Sequence, residues 1–246
     1  MRKRIPYLIL ILLFSFKGFS QNKLHLTFHK AKVIENTKSH TYKIQSNNKT
    51  VYANLKFAAY AEGSLQILTA DNQLCYINSN LQRIEFPEKA QDFYCGTVDD
   101  FSVVIVDKGN QYIVEKTTNF ITSGVPVKKE IIDSIPKKNI KDIYFLNKEK
   151  KINYDENFFF PQTVVISTKE DKIGIKSTGK AIAFFDEIDI SNPSAIKVKK
   201  GDLWGYYNIT DIAYKKLDSF AYNLASFQLK DGKKGFIDYN GNQYLK

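Results

Sequence analysis

The chain has 246 residues, with 36 lysines and arginines against 26 aspartates and glutamates, a formal charge of +10. Aromatic residues reach 14% while methionine occurs once, a balance that suits strands better than helices. The positive charge is lysine spread in short runs such as Lys148-Glu149-Lys150-Lys151, not the dense arginine-rich stripe of a nucleic-acid binder.

Met1-Arg2-Lys3-Arg4 opens the chain, Ile5 to Phe16 is almost wholly apolar, and Gly18-Phe19-Ser20 supplies small residues. This is the layout of a secretory signal peptide over residues 1–20, with cleavage expected between Ser20 and Gln21. The apolar run falls short of the roughly 20 residues that span a bilayer. No cysteine follows the cut, which disfavours a lipid anchor. Losing the leader removes four positives and no acids, leaving +6, and Arg83 is then the remaining arginine. The expected mature chain has no later stretch apolar enough to cross a membrane and is placed in the periplasm or outside the cell. Its length allows one all-β domain or two smaller units.

Leu24, Leu26 and Phe28 alternate with His25, Thr27 and His29, the period of a half-buried strand. Short strand-like pieces follow at Val33-Ile34, Tyr42-Lys43-Ile44 and Val51-Tyr52-Ala53, with Ser46-Asn47-Asn48-Lys49 reading as a hairpin turn. Leu55 to Tyr60 fits a strand or a short helical turn. Leu65 to Ile77 forms a hairpin pattern around Ala70-Asp71-Asn72-Gln73, and Ser102 to Val114 another around Asp107-Lys108-Gly109-Asn110. Pro126 and Pro136 mark a looser connection. Ile143-Tyr144-Phe145-Leu146 and Phe158-Phe159-Phe160 are apolar runs around a charged turn.

From Val164 the pattern sharpens. Each unit has a strand, a tight polar turn, a second strand with an internal glycine, and a second turn. The glycines are Gly174, Gly205 and Gly235, separated by 31 and 30 residues, a spacing that signals a repeat architecture. Gly201-Asp202 and Asp231-Gly232 suit hairpins that need positive φ. A glycine inside a strand loses backbone entropy and packs nothing, so it should mark a bulge or a close approach of a neighbouring ring or backbone. Trp204, just before Gly205, is the expected local anchor. A lone hairpin of this length is marginal in water, so the units must cover one another's apolar faces.

These residues carry a family resemblance. Lys199-Lys200-Gly201-Asp202-Leu203-Trp204-Gly205-Tyr206 and Lys230-Asp231-Gly232-Lys233-Lys234-Gly235-Phe236-Ile237-Asp238-Tyr239-Asn240-Gly241 make residues 164–246 resemble the WG repeat, a β unit of bacterial secreted proteins. Only Trp204 keeps the tryptophan, with Ile173 and Lys234 elsewhere, and Asn208-Ile209-Thr210-Asp211 lacks the turn glycine. Residues 21–163 would then be a degenerate β-repeat region. The resemblance implies a repeat scaffold that mediates binding, and it carries no catalytic residues to transfer.

The reactive residues name no reaction. His25 and His29 are four apart but sit in an alternating segment, and no metal set is expected from them. Cys75 and Cys95 allow one disulfide in an oxidising compartment, or two buried thiols. No Gly-x-Ser-x-Gly elbow or phosphate loop occurs. Asp99-Asp100, Asp155-Glu156 and Asp186-Glu187-Ile188-Asp189 are paired acids, which a glycosidase would need facing each other across a cleft. Phe158-Phe159-Phe160 and Tyr206-Tyr207 invite a sugar-stacking reading, with core packing the better one. The expected fold is all-β, built of hairpin repeats of about 30 residues in a propeller-like ring, with an open β-solenoid as the alternative. The expected function is a non-enzymatic binding or scaffold protein of the cell envelope, with no cofactor. Its partner would be a protein or a glycan. The competing readings are a hydrolase with carboxylates gathered from repeat turns and an immunity-type inhibitor.

Overall fold

The structure, a computed structural model, describes residues 21–89, 99–120, 128–155, 163–192 and 194–246. The expected leader, Cys95 and Phe158-Phe159-Phe160 lie outside the described residues. The chain divides between Gln91 and Asp92 into two compact units.

In the first unit, β1 (Asn22–Phe28), β2 (Ala31–Asn36), β3 (Thr41–Ser46) and β4 (Lys49–Leu55) form one antiparallel sheet in chain order. A second follows with β5 (Phe57–Ala61), β6 (Ser64–Leu68), β7 (Leu74–Ile77) and β8 (Arg83–Ile84). Leu55 to Tyr60 is thus a strand end and a strand. The two sheets share a core of Phe28, Val33, Ile44, Leu55, Leu65, Ile67 and Ile77. The β3–β4 loop is a two-residue turn with Asn47 at φ 49° and Asn48 at φ 61°, the pair of left-handed residues that a type I′ hairpin requires. Alternation in β1 fails at one position. The register slips between Leu24 and Leu26, and Leu24 is left 53% exposed.

In the second unit, β9 (Asp99–Asp107), β10 (Gln111–Phe120), β11 (Lys128–Pro136) and β13 (Lys151–Asp155) form a sheet ordered β11-β10-β9-β13. β12 (Ile140–Phe145) leaves it to pair with β14 (Thr163–Thr168), β15 (Ile173–Ser177) and β16 (Ala183–Phe185). These two sheets close on Phe101, Val103, Ile143, Phe145, Val164 and Ile166. The last sheet has seven strands in chain order: β17 (Glu187–Asp189), β18 (Lys197–Lys200), β19 (Leu203–Tyr206), β20 (Tyr214–Leu217), β21 (Leu224–Leu229), β22 (Lys234–Asp238) and β23 (Gln243–Leu245). β19 and β20 meet through a single pair, Trp204 with Tyr214. The β18 side packs Val198 and Ile188 with Val165 and Ile175, while Tyr206, Tyr214, Phe227 and Ile237 form a separate cluster.

One turn recurs. Thr69, Thr168 and Leu229 each donate an N–H to the carbonyl four residues on and accept from the N–H three residues on, at 2.8–3.1 Å. The residue three on is left-handed each time: Asn72, Asp171 and Gly232. This is a three-residue loop with a left-handed closing residue. Asn78 and Asp238 close their turns in the same way, and their Oδ1 atoms each accept two further backbone N–H groups at 2.9–3.1 Å. Those side chains satisfy donors that the turn would otherwise leave open.

The expectation of a propeller-like ring, with an open solenoid as alternative, is corrected. The fold is all-β, but every sheet among the described residues is open and ends in two edge strands; none closes into a barrel or ring, and none curls into a solenoid. Two pairings account for this. β13 returns to pair with β9 while β12 pairs with β14, so consecutive hairpins interleave between two sheets. The units centred on Gly205 and Gly235 do not stand apart, because β20 joins them into one seven-stranded sheet.

Contacts within the second unit give two stability predictions. A Cβ on Gly235 would lie 2.5 Å from the Tyr244 carbonyl oxygen and 2.9 Å from the Phe227 ring, whereas one on Gly232 would meet open space at φ +89°. Gly232→Ala therefore costs about 1 kcal/mol of backbone strain, and Gly235→Ala about 2–3 kcal/mol of overpacking. Urea unfolding should rank them in that order; equal costs would contradict the close approach. Separately, Lys176 on β15 pairs with Asp133 on β11 at 2.6 Å, with side chains 12% and 16% exposed. Lys176→Met strands a carboxylate and should cost about 3 kcal/mol, most of it recovered in the double variant with Asp133→Leu.

Candidate functional site

The repeat positions singled out in the sequence occupy equivalent places. Gly174 and Gly235 are the second residues of β15 and β22 and Gly205 is the third of β19, each in the second strand of a hairpin and pressed on by the next stretch of chain. Gly174 meets Ile182 and the Phe184 ring, Gly205 meets the Asp211 carbonyl, and Gly235 meets the Tyr244 carbonyl. Cys75 holds the same place in β7, after the Thr69 turn. It is buried, and burial pushes its thiol pKa up. Its proposed disulfide partner, Cys95, lies outside the described residues. Trp204 is half-buried in the cluster of Tyr206 and Tyr214, with the Lys199 and Lys197 ammonium groups 5.2 and 5.8 Å from its ring centroid. That arrangement makes it an anchor of the sheet and covers its face with lysines. Tyr206 is buried and donates to the Asp218 carbonyl, while Tyr207 sets its ring edge-on to Phe185. Neither is an exposed sugar platform.

The acids of the β17 region are engaged in structure. Asp186 accepts the Gly201 N–H at 2.6 Å, Glu187 pairs with Lys199 at 3.0 Å, and Asp189 pairs with Lys197 at 2.7 Å while accepting the Ser191 N–H. Hydrogen bonds from Lys197 and then Ser191 hold the Asp189 pKa down to about 2. A carboxyl held there is ionised at neutral pH and is no general acid. The histidines are dispersed. His25 Nε2 lies 3.1 Å from the Ala58 carbonyl, His29 fills a left-handed turn position against Phe28, and His40 sits 3.6 Å from Glu35. Among the described residues no group of three or more His, Cys, Asp or Glu side chains is placed to hold a metal ion.

The site that the sequence reading missed lies where the seven-stranded sheet is joined by a single pair. The β19–β20 connection and the β22–β23 turn enclose an open pocket of about 460 Å³, lined by Asn208, Ile209, Thr210, Asp211, Tyr214 and Gln243, with Ala213 and Gly241 completing the wall. Asn208 stands three residues after Gly205, where Asn78 follows Cys75 and Asp238 follows Gly235. Those two side chains close their own turns. Asn208 does not, because this turn starts two residues earlier, at Tyr206. Ile209 and Thr210 both donate to the Tyr206 carbonyl, and Thr210 Oγ1 accepts the Tyr206 N–H at 2.9 Å. Asn208, left-handed at φ 62°, is thereby released, and its Oδ1 accepts from Lys180 Nζ at 3.2 Å. That contact leaves Nδ2 as a donor to the pocket.

Gln243 donates from Nε2 to the Tyr214 hydroxyl at 2.9 Å, which leaves its Oε1 as an acceptor. Burial pushes the Tyr214 pKa up, so its hydroxyl stays protonated. The turn that brings Gly241 into the wall also carries Tyr239, 38% exposed, its ring stacked on Phe220 at 3.8 Å. Only the absence of the turn glycine at Asn208-Ile209-Thr210-Asp211 hinted at this place in the sequence.

No family model matches the chain, and no curated protein matches it. The WG-repeat resemblance is therefore neither supported nor refuted by relatives. Among solved structures the chain is similar to the computationally designed Ika8 protein, at 10% identity over 91% of this chain and 85% of that one. The TM-score of 0.20 carries no argument about fold or function. No helix of the described residues is long and apolar enough to cross a membrane.

The Asp189 shift predicts a pH dependence. Its pKa falls from 3.8 to about 2 on folding, so the stabilisation is present above pH 3.8 and lost as pH falls through 2. With the side chain 32% exposed, solvent screening reduces the contribution to about 1 kcal/mol. Asp189→Asn should remove that much at pH 6 and flatten this part of the urea-midpoint profile between pH 4 and 2; an unchanged slope would contradict the pairing.

Proposed function

We propose that the protein is an exported, non-enzymatic binding module that engages a protein or glycan of the cell envelope through the pocket between the β19–β20 connection and the β22–β23 turn. The observation that carries this reading is the set of unspent polar groups there. Asn208 Nδ2, Gln243 Oε1 and the Asp211 carboxylate belong to residues lining an open concavity in which the Thr210 and Tyr214 hydroxyls are hydrogen-bonded within the walls. A small number of placed polar groups on a rigid frame is what orients a bound partner. The hydrolase reading draws no support from the acids near β17, since each is tied to a lysine or a backbone N–H. Asp211 is the pocket's single lining carboxylate, and a glycosidase needs two. The likeness of residues 164–246 to WG units belongs to the same proposal, and the recurring turns support it.

The test uses residues 21–246, immobilised and exposed to a fractionated envelope extract beside an Asp211→Ala variant with the same unfolding midpoint. The expected result is material retained by the wild type and at least tenfold depleted by the variant. Equal retention by both proteins, or none by either, would overturn the reading.

A further inference from the structure

We infer that the ligand of this pocket is an uncharged saccharide, an inference that rests on the binding reading above and names its ligand class. Three observations converge on it.

The first is charge. Asp211 is the one ionised group among the lining residues, and Lys180 stands at the rim with its ammonium on Asn208. One negative and one positive group leave the site close to neutral on a chain whose formal charge is +10. An anionic polymer would find its complement in the lysines elsewhere and would meet a carboxylate here.

The second is the mixture of hydrogen-bonding groups. Vicinal hydroxyls are at once donors and acceptors, and a ligand made of them needs both kinds of partner side by side. Asp211 and Gln243 Oε1 accept only, whereas Asn208 Nδ2 donates only. The Lys180 ammonium can only donate and so fixes the Asn208 amide with Nδ2 outward, and Gln243 is placed with Nε2 on the Tyr214 hydroxyl and Oε1 outward. Ile209 adds an apolar patch in the same wall.

The third is size. A pocket of about 460 Å³ lies in the range of small-ligand sites. A protein partner needs roughly 1,200–2,000 Å² of total interface and tends to anchor aromatic or arginine side chains in apolar pockets. This lining is mostly polar and contains no arginine.

The experiment is ligand-observed saturation-transfer NMR on residues 21–246. The probes are a β-1,4-linked glucose tetrasaccharide and a β-1,4-linked N-acetylglucosamine tetrasaccharide, with a galacturonate tetrasaccharide as the charged control. The variants are Asp211→Ala and Asn208→Gly, the latter chosen because glycine keeps the left-handed backbone. Unfolding midpoints are compared to show that each variant stays folded. The expected result is transfer from at least one neutral tetrasaccharide, roughly tenfold weaker binding in each variant, equivalent to about 1.4 kcal/mol, and no transfer from the galacturonate. Transfer that is unchanged in both variants overturns the inference, as does a preference for the galacturonate. Silence from all three probes while envelope retention remains sensitive to Asp211→Ala overturns the saccharide class and leaves the binding reading standing. Silence together with equal envelope retention overturns both.

Discussion

The second unit depends on how closely one strand lets the next lie across it. Gly205 and Gly235 sit where a carbonyl from the following segment comes within 2.6 Å of the position a Cβ would occupy. Any side chain there would push away β23 in one case and the β19–β20 connection in the other. The absence of a side chain thus sets the path of the chain after each hairpin. It lets Tyr244 reach the Asp238 carboxylate at 3.0 Å and lets the 211–212 backbone lie over β19. At Gly174 the intruders are the Ile182 and Phe184 side chains, so the same vacancy is filled with apolar packing. The first unit meets the constraint differently: Cys75, at the corresponding place, is buried among Val33, Ile44 and Ile67 and contributes to its core.

Much of this was legible in the sequence, because local chemistry determined it. Asn47-Asn48, Gly201-Asp202 and Asp231-Gly232 mark hairpins since few residues accept left-handed backbone at no cost, and all three loops close as that chemistry requires. Strand character followed from short apolar runs rich in β-branched and aromatic residues. Sheet membership was not legible. Nothing in Ile140–Phe145 or Lys151–Asp155 says that the first pairs with β14 and the second with β9, since both are short, amphipathic and compatible with either neighbour. A thirty-residue spacing reports the unit and is silent on how units join. Here the join is a single pair, Trp204 with Tyr214, and it merges two units into one open sheet.

The pocket was hidden for a related reason. Its residues come from two turns about thirty residues apart, and only the pairing of β20 with β21 and of β22 with β23 brings them together. The acids that stood out in the sequence, Asp186 to Asp189, stood out because they cluster: β17 sets Glu187 and Asp189 against Lys199 and Lys197 of β18, and Asp186 accepts the Gly201 N–H. Clustering by charge ladder is a structural use of carboxylates. The residues with groups to spare are the ones that break the local pattern.

That break has a physical origin. A hairpin turn has backbone donors to satisfy, and Asn78 and Asp238 satisfy theirs with their own side chains. In the middle unit the Thr210 hydroxyl takes over the closing role, binding the Tyr206 N–H and donating to the Asp211 carbonyl. Once a neighbour does that work, the side chain at 208 has no structural obligation in its turn. A polar group freed in this way would be neutral for stability on an exposed loop. Placed in the wall of a concavity, opposite a glutamine whose own amide is half used, it becomes a group available for recognition. The fold therefore separates two demands within one turn: Thr210 holds it closed, and Asn208 and Asp211 line the pocket.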